Sequence, residues 1–95
     1  MGGFEKEIHW SPVKDEWLRV YRRIGFEQVA VMIEKDDYLD IINHWNPIRY
    51  PNQRVFILNI DDYGYYVPFV ETMFDVFLKT IIRSRKMTKL HLRGN

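Results

Sequence analysis

The sequence predicts an α+β domain in which two N-terminal helices pack on a four- to five-stranded, mainly antiparallel sheet, followed by a short basic C-terminal helix. Two observations predict this class. Apolar residues recur with helical spacing in the first third of the chain, whereas the rest contains short segments rich in Ile, Val, Tyr and Phe between turn residues. We expect one domain spanning positions 1–95, because a chain of this length has no material for a second core.

The first predicted elements are a short strand, Glu7–Trp10, and a helix. Ser11 can cap the helix, and Pro12 suits its first position because the missing N–H is not needed there. Residues at i, i+4, i+7, i+8 and i+11 predict its apolar face: Val13, Trp17, Val20, Tyr21 and Ile24. Gly25 is expected to end the helix, since glycine tolerates a positive φ.

A second helix is predicted after this break. Its apolar positions recur at i, i+3, i+4 and i+7: Phe26, Val29, Ala30 and Ile33. Four strands are expected to follow as an antiparallel meander: Tyr38–His44, Arg54–Ile60, Tyr63–Val70 and Phe77–Ile82.

Three features refine the predicted sheet. Val55–Leu58 is continuously apolar, which indicates a central strand covered on both faces. Asp61 and Asp62 predict a tight hairpin turn. Pro68 cannot donate to a hydrogen-bond ladder, so we expect it at an edge position or a bulge.

Basic residues are concentrated at the C-terminal end. The last twenty residues contain six basic residues and no acid, whereas the first seventy-five contain eight basic and thirteen acidic residues. The six are Lys79, Arg83, Arg85, Lys86, Lys89 and Arg93. Ser84 can cap a short basic helix that runs to about Leu90. Such a cationic surface usually binds phosphate backbones or an acidic protein segment.

Several function classes are excluded by the sequence. There is no cysteine, no P-loop, no dinucleotide fingerprint and no nucleophile elbow. His9, His44 and His91 lack the i, i+4 pairing of a helical metal site, so we expect neither a metal nor a cofactor. The start resembles no signal peptide and no stretch is long and apolar enough to span a bilayer, which predicts a cytoplasmic protein without a membrane partner.

RNA cleavage is a phosphate reaction that needs no cofactor. The neighbouring 2′-hydroxyl can attack the phosphorus when a base takes its proton and cations stabilise the charge on the phosphate. The chain supplies such groups: Arg54, Lys79, Arg83, Arg85 and Lys86, with His44, Tyr50 and Tyr63 in or beside loops. The loop between His44 and Gln53, stiffened by Pro47 and Pro51, is a candidate functional site. A site that only binds would use the same groups.

Two of these cations have alternative roles. In the predicted last strand, side chains alternate: Phe77, Lys79 and Ile81 share one face, and Leu78, Thr80 and Ile82 share the other. Lys79 then either projects from an open face of the sheet that can bind RNA, or covers apolar neighbours with its stem. Arg54 either belongs to the site or forms a surface ion pair with an acid such as Asp40.

Spaced motifs over most of residues 7 to 90 carry a family resemblance. They are Trp10–Lys14, which looks like a W-x-P-x-K start, the pre-strand loop Tyr50–Arg54, and the segments Asp62–Glu71 and Phe77–Lys89. Together these segments resemble the BrnT-like toxins of type II toxin–antitoxin systems.

The resemblance implies a small RelE-like fold, ribonuclease activity that arrests translation by cleaving mRNA, and neutralisation by a cognate antitoxin. The catalytic residues expected under this hypothesis are Arg54, Lys79, Arg85, His44 and Tyr63. The RNA-binding residues expected are Lys14, Arg22, Arg83, Lys86 and Lys89. Proton transfer would fall to Lys79, His44 or Tyr63.

Two other functions remain open at this point. The chain can be a non-catalytic module whose basic surface binds an acidic protein partner or a nucleic acid, because that surface requires the same residues. It can also be a structural domain, but this hypothesis leaves the C-terminal excess of basic residues unexplained.

Overall fold

The computed structural model describes residues 5–91 and has an α+β architecture, which confirms the predicted class. The elements in chain order are β1 (Glu7–Trp10), α1 (Pro12–Tyr21), α2 (Phe26–Glu34), β2 (Asp40–Asn43), β3 (Gln53–Ile60), β4 (Tyr63–Glu71), β5 (Asp75–Leu78), β6 (Ile82–Arg83) and α3 (Arg85–His91). Within the part of the chain that the structure describes, no helix is long and apolar enough to cross a membrane.

The strands form one mixed sheet in the order β1-β5-β4-β3-β2, with β6 pairing to β4 beyond the end of β5. Strands β2 to β5 form the predicted antiparallel meander. Asp61 and Asp62 form the predicted tight turn between β3 and β4, with φ of 55° and 64°. Strand β1 pairs in parallel with β5, so the first strand lies beside the last strand of the meander.

Helices α1 and α2 and one face of the sheet enclose the main core. Its fully buried members include Leu18, Phe26, Ile33, Phe56, Phe69, Leu78 and Ile81. Each such side chain stabilises the fold by about 1.5–3 kcal/mol. The other face of the sheet buries Val55 and Ile57, which pack against Tyr66. Residues Val55 to Leu58 are all fully buried, which confirms the prediction of a central strand covered on both faces.

Four of the five residues predicted for the apolar face of α1 are exposed, and only Ile24, which follows the helix, is buried. Val13, Val20 and Tyr21 are 80%, 61% and 70% exposed, and Leu18 is the residue that the helix buries. The reason is Asp15, whose Oδ1 accepts a hydrogen bond of 2.8 Å from the Phe26 amide at the start of α2. This bond holds the Asp15 side of α1 toward the protein and turns the apolar stripe outward.

The break between the helices also differs from the prediction. Ser11 caps α1 as expected, but Arg23 has the positive φ, 59°, while Gly25 is extended at −127°. A left-handed arginine costs roughly 1–2 kcal/mol. Gly25 is needed for space, because a Cβ there would lie 2.9 Å from Cγ of Arg19.

The predicted strand Phe77–Ile82 is interrupted. Strand β5 ends at Leu78 and β6 begins at Ile82, and the residues between them leave the ladder opposite Pro68. The Lys79 amide donates to the Pro68 carbonyl at 2.8 Å, so the Pro68 nitrogen, which has no hydrogen, faces the same gap. In a continuous strand, Leu78 and Ile81 would point to opposite faces of the sheet. Both lie in the core on the helix side, so the interruption changes which side chains face the helices. Pro68 therefore occupies a central strand, at a break in the neighbouring one.

Candidate functional site

The loop between β2 and β3 is held in shape by its own hydrogen bonds. The His44 amide donates to the Gln53 carbonyl at 3.0 Å, which closes the base of the loop. Inside it, the Tyr50 amide donates to the Asn46 carbonyl at 2.9 Å, and the Arg49 amide donates to Oδ1 of Asn46 at 3.2 Å. The loop is therefore ordered and can position side chains.

Three aromatic rings stack in this loop. His44, only 8% exposed, lies between Trp45 and Tyr50, with ring centroids 4.3 and 4.4 Å away. Trp45 also meets Tyr66 of the sheet edge-on at 4.9 Å and keeps 54% of its surface exposed. An exposed tryptophan fixed by its neighbours is a surface on which a nucleobase can stack.

Two adjacent depressions, which we call together the loop cleft, share the walls His44, Tyr50 and Gln53. The larger, of about 570 Å³, is also lined by Arg54 and Glu71. The smaller, of about 290 Å³, is also lined by Trp45, Pro68, Lys79, Thr80 and Ile82. Three residues predicted to be catalytic from the sequence therefore line these depressions: His44 lines both, Arg54 lines the larger one and Lys79 lines the smaller one.

Arg54 is engaged by Glu71 rather than by Asp40, the partner suggested above. Its Nε and Nη2 lie 2.8 and 2.7 Å from Oε2 of Glu71, and Nζ of Lys6 lies 2.8 Å from Oε1. Burial opposes ionisation of Glu71, but the hydrogen bonds from Lys6 and Arg54 outweigh it and hold the pKa of this carboxyl below its usual value. The three groups together keep a net positive charge.

His44 has a defined tautomer when neutral. Its Nδ1 accepts a hydrogen bond of 3.0 Å from the Asn46 amide, so the proton lies on Nε2. The neutral ring can therefore donate to a phosphate oxygen, whereas its remaining lone pair is already used. This geometry suits a stabilising donor better than a general base.

Lys79 projects from the interruption between β5 and β6. Its Nζ lies 5.5 Å from the centroid of the Phe77 ring, and the residue is exposed. Arg54 and Phe56 share the helix-facing side of β3, whereas Lys79 lines the depression beside Pro68 and Trp45, so Arg54 and Lys79 reach the loop cleft from opposite faces of the sheet.

Tyr63 lies at a second site. The guanidinium of Arg83 sits over the Tyr63 ring, 3.9 Å from its centroid. Arg83 pairs with Tyr65 and Arg54 pairs with Phe69, so the two arginines are separated by four residues of β4, about 13 Å. Arg22, Arg23 and Arg83, with Tyr21, Ile24, Tyr65 and Ile81, line a depression of about 290 Å³ that we call the arginine pocket.

The other predicted cations lie outside both depressions. Arg85, Lys86 and Lys89 are exposed on α3, and Nζ of Lys14 lies 4.7 Å from the centroid of the Trp17 ring. Arg93 lies outside the described residues. Helix α3 is attached to the sheet by Thr88, whose hydroxyl accepts from the Gly64 amide at 2.7 Å and donates to the Ser84 carbonyl at 2.9 Å.

The chain matches no protein-family model, no curated protein and no solved structure.

Sequence reasoning missed four residues that shape these surfaces. Trp45, Gln53 and Glu71 line the loop cleft, and Arg23 lines the arginine pocket. The aromatic composition of the loop was a usable signal for Trp45. No signal in the sequence indicated Glu71, because it lies 17 positions after Arg54 and only the β3–β4 register brings the two residues together.

One cluster can offer ligands to a cation. Nε2 of His9 lies 3.0 Å from Oδ1 of Asp75 and 3.3 Å from Oε1 of Glu7, so the parallel β1–β5 pair gathers three ligand atoms within 4.8 Å. Their side chains are 50%, 47% and 79% exposed, respectively. Such an exposed group is accounted for by the hydrogen bond between the His9 imidazole and the Asp75 carboxylate.

Proposed function

We propose that this protein is a metal-independent endoribonuclease, the cytoplasmic toxin of a type II toxin–antitoxin system, with a BrnT-type, RelE-like fold. The observation that supports it most directly is the loop cleft, in which His44 lines both depressions, with Arg54 in the larger one and Lys79 beside the exposed Trp45 in the smaller one. These are the groups that bind a phosphodiester and stack a base.

The proposed reaction is transesterification. The 2′-oxygen attacks the adjacent phosphorus and its proton passes to a base, the bond from phosphorus to the 5′-oxygen breaks, and that oxygen takes up a proton. The products are a 2′,3′-cyclic phosphate and a free 5′-hydroxyl. Arg54 and Nε2 of His44 stabilise the charge on the equatorial oxygens.

Lys79 is the proposed proton acceptor. His44 has its Nδ1 lone pair occupied by the Asn46 amide, and Tyr63 stacks on Arg83 outside the loop cleft. Nζ of Lys79 has no hydrogen-bond partner among the described residues, so it is free to contact the 2′-hydroxyl of a bound RNA.

The exposed stripe of α1 supports the antitoxin part of the proposal. Val13, Trp17, Val20 and Tyr21 are exposed along one side of a helix that also carries Lys14 and Arg22. Contiguous apolar surface flanked by cations fits a partner segment that is both apolar and acidic.

A non-catalytic basic module is the second candidate. The observation that favours it is the ion pair of Arg54 with Glu71, which uses part of the charge that catalysis would require. Such a module would bind RNA without changing it.

The decisive experiment incubates purified protein with a single-stranded RNA in the presence of EDTA. We expect cleavage that leaves 2′,3′-cyclic phosphate ends, and none at a position where a single 2′-deoxynucleotide replaces the ribonucleotide. Growth arrest on expression, reversed by the co-expressed antitoxin, is the expected result in cells. Binding of RNA that stays intact, with normal growth at high expression, would favour the binding module.

A further inference from the structure

We infer that the arginine pocket binds a phosphate group of an RNA strand outside the bond that is cleaved. The inference rests on the proposed function for the identity of the polymer, but it concerns binding alone. The pocket is about 13 Å along β4 from the Arg54 position, so it is a separate site from the loop cleft.

The pocket combines three guanidinium groups without compensating acids. No carboxylate of residues 5–91 lies within ion-pairing distance of Arg22, Arg23 or Arg83, whereas Arg19 and Arg54 each have one. Three neighbouring like charges repel each other in the unbound protein. A bound phosphate removes this repulsion, and planar guanidinium forks match its oxygens.

Two of the three arginines are already fixed. Nη1 of Arg22 donates to the Ile81 carbonyl at 2.7 Å, and its guanidinium lies 5.1 Å from the centroid of Trp17. Arg83 is stacked on Tyr63 at 3.9 Å. Binding a phosphate therefore costs little side-chain entropy at these two positions.

The third arginine stands where the backbone disfavours it. Arg23 follows the C-cap of α1 with a φ of 59°, a position where glycine is the unstrained residue. Strain of this kind concentrates at functional sites, where another requirement opposes it. Here that requirement is a third cation at the rim of the pocket.

The surroundings favour a nucleic-acid phosphate over a protein carboxylate. Tyr21, 70% exposed, and Tyr65 line the pocket beside the arginines. Aromatic rings interleaved with arginines allow bases to stack while the backbone is neutralised, as in single-strand binding grooves.

The test uses Arg23→Gly, which removes one charge and relieves the backbone strain at the same time. The probe is a short single-stranded deoxythymidine oligonucleotide, which has no 2′-hydroxyl and so reports binding without cleavage. We expect an unchanged or raised melting temperature, an affinity about tenfold weaker, and a salt dependence shallower by about 0.7 in the log–log slope. Lys35→Gln, at the far end of α2, is the control for charge and should change the affinity little.

Arg83→Gln is the second variant; it removes the guanidinium that stacks on Tyr63 and should weaken binding of the oligonucleotide by a similar factor. Comparing oligonucleotides with and without a 5′-phosphate separates terminal from internal phosphate binding. An affinity unchanged in both variants would overturn the inference. The inference would also be overturned if poly-glutamate bound more tightly than the oligonucleotide and Arg23→Gly abolished that binding. Such a result would assign the pocket to an acidic protein. Absence of RNA cleavage, by contrast, would remove the proposed function and leave a positive result here intact.

Discussion

Arg54 donates a hydrogen bond of 2.8 Å from Nε to Oε2 of Glu71, and its Nη2 lies 2.7 Å from the same oxygen in an ion pair. The second oxygen of the same carboxylate accepts from Lys6. The ion pair with Glu71 restrains Arg54, one of the cations that line the loop cleft. A change in either residue should therefore alter both the cleft and the stability of the sheet.

Glu71→Gln should destabilise the protein by about 1 kcal/mol at neutral pH, a figure reduced for solvent screening because Arg54 is 40% exposed. The pKa of Glu71 in the folded protein lies below its usual value of 4.5. The ionised carboxylate therefore contributes its full stabilisation above pH 4.5, and this stabilisation is lost as the pH falls through the folded-state pKa. Urea denaturation of both proteins at several pH values measures the difference. A difference that grows toward acid pH would contradict this assignment.

Arg54→Ala should separate catalysis from stability. We expect a loss of about 1 kcal/mol, a few degrees in melting temperature, and a decrease in RNA cleavage of about a hundredfold or more. Arg54→Lys is the matched control, because it keeps the charge and loses the planar fork. A folded Arg54→Ala variant that cleaves RNA at the normal rate would exclude this end of β3 from the site.

Lys79→Met and Arg85→Ala should affect different quantities, the cleavage rate and the RNA affinity, respectively. Lys79 lines the loop cleft, so its loss should reduce cleavage about a hundredfold with little change in RNA affinity. Arg85 is exposed on α3, so its loss should mainly weaken affinity and flatten the salt dependence. Single-turnover rates and binding titrations on the same RNA distinguish the two; the reverse pattern would move the chemistry to α3.

Thr88→Val should weaken the attachment of helix α3 to the sheet. Thr88 is 3% exposed and its hydroxyl joins the Gly64 amide to the Ser84 carbonyl, so valine leaves a buried N–H without its partner at a cost of about 1–3 kcal/mol. Faster hydrogen exchange of the Gly64 amide is the direct readout. Thr80→Val is the control, since the Thr80 hydroxyl has no hydrogen-bond partner among the described residues. Equal exchange in both variants would refute the role of Thr88.

Local patterns predicted the elements well. The cap at Ser11, the turn at Asp61 and Asp62, and the doubly covered segment Val55–Leu58 depend on neighbouring residues, and each is found where expected. Candidate residues His44 and Arg54 follow from the same kind of argument, because each lies at the end of a predicted strand.

The errors came from contacts between distant residues. The orientation of α1 depends on the bond from Phe26 to Asp15, which overrides the helical stripe. The break after Leu78 depends on Pro68 in the neighbouring strand, and the state of Arg54 depends on Glu71. Such contacts are set by strand register, which composition and periodicity do not specify.

The parallel pairing of β1 with β5 constrains how the chain folds. Glu7 lies opposite Asp75, 68 positions away, so closing this pair requires a large loss of chain entropy. The β3–β4 hairpin, with a two-residue turn, carries no such cost and can form first. Helices α1 and α2 lie between β1 and β2 in the chain, so they can form the core with the hairpin before β1 joins β5. Completion of this sheet edge is then the pairing of highest contact order in the sheet.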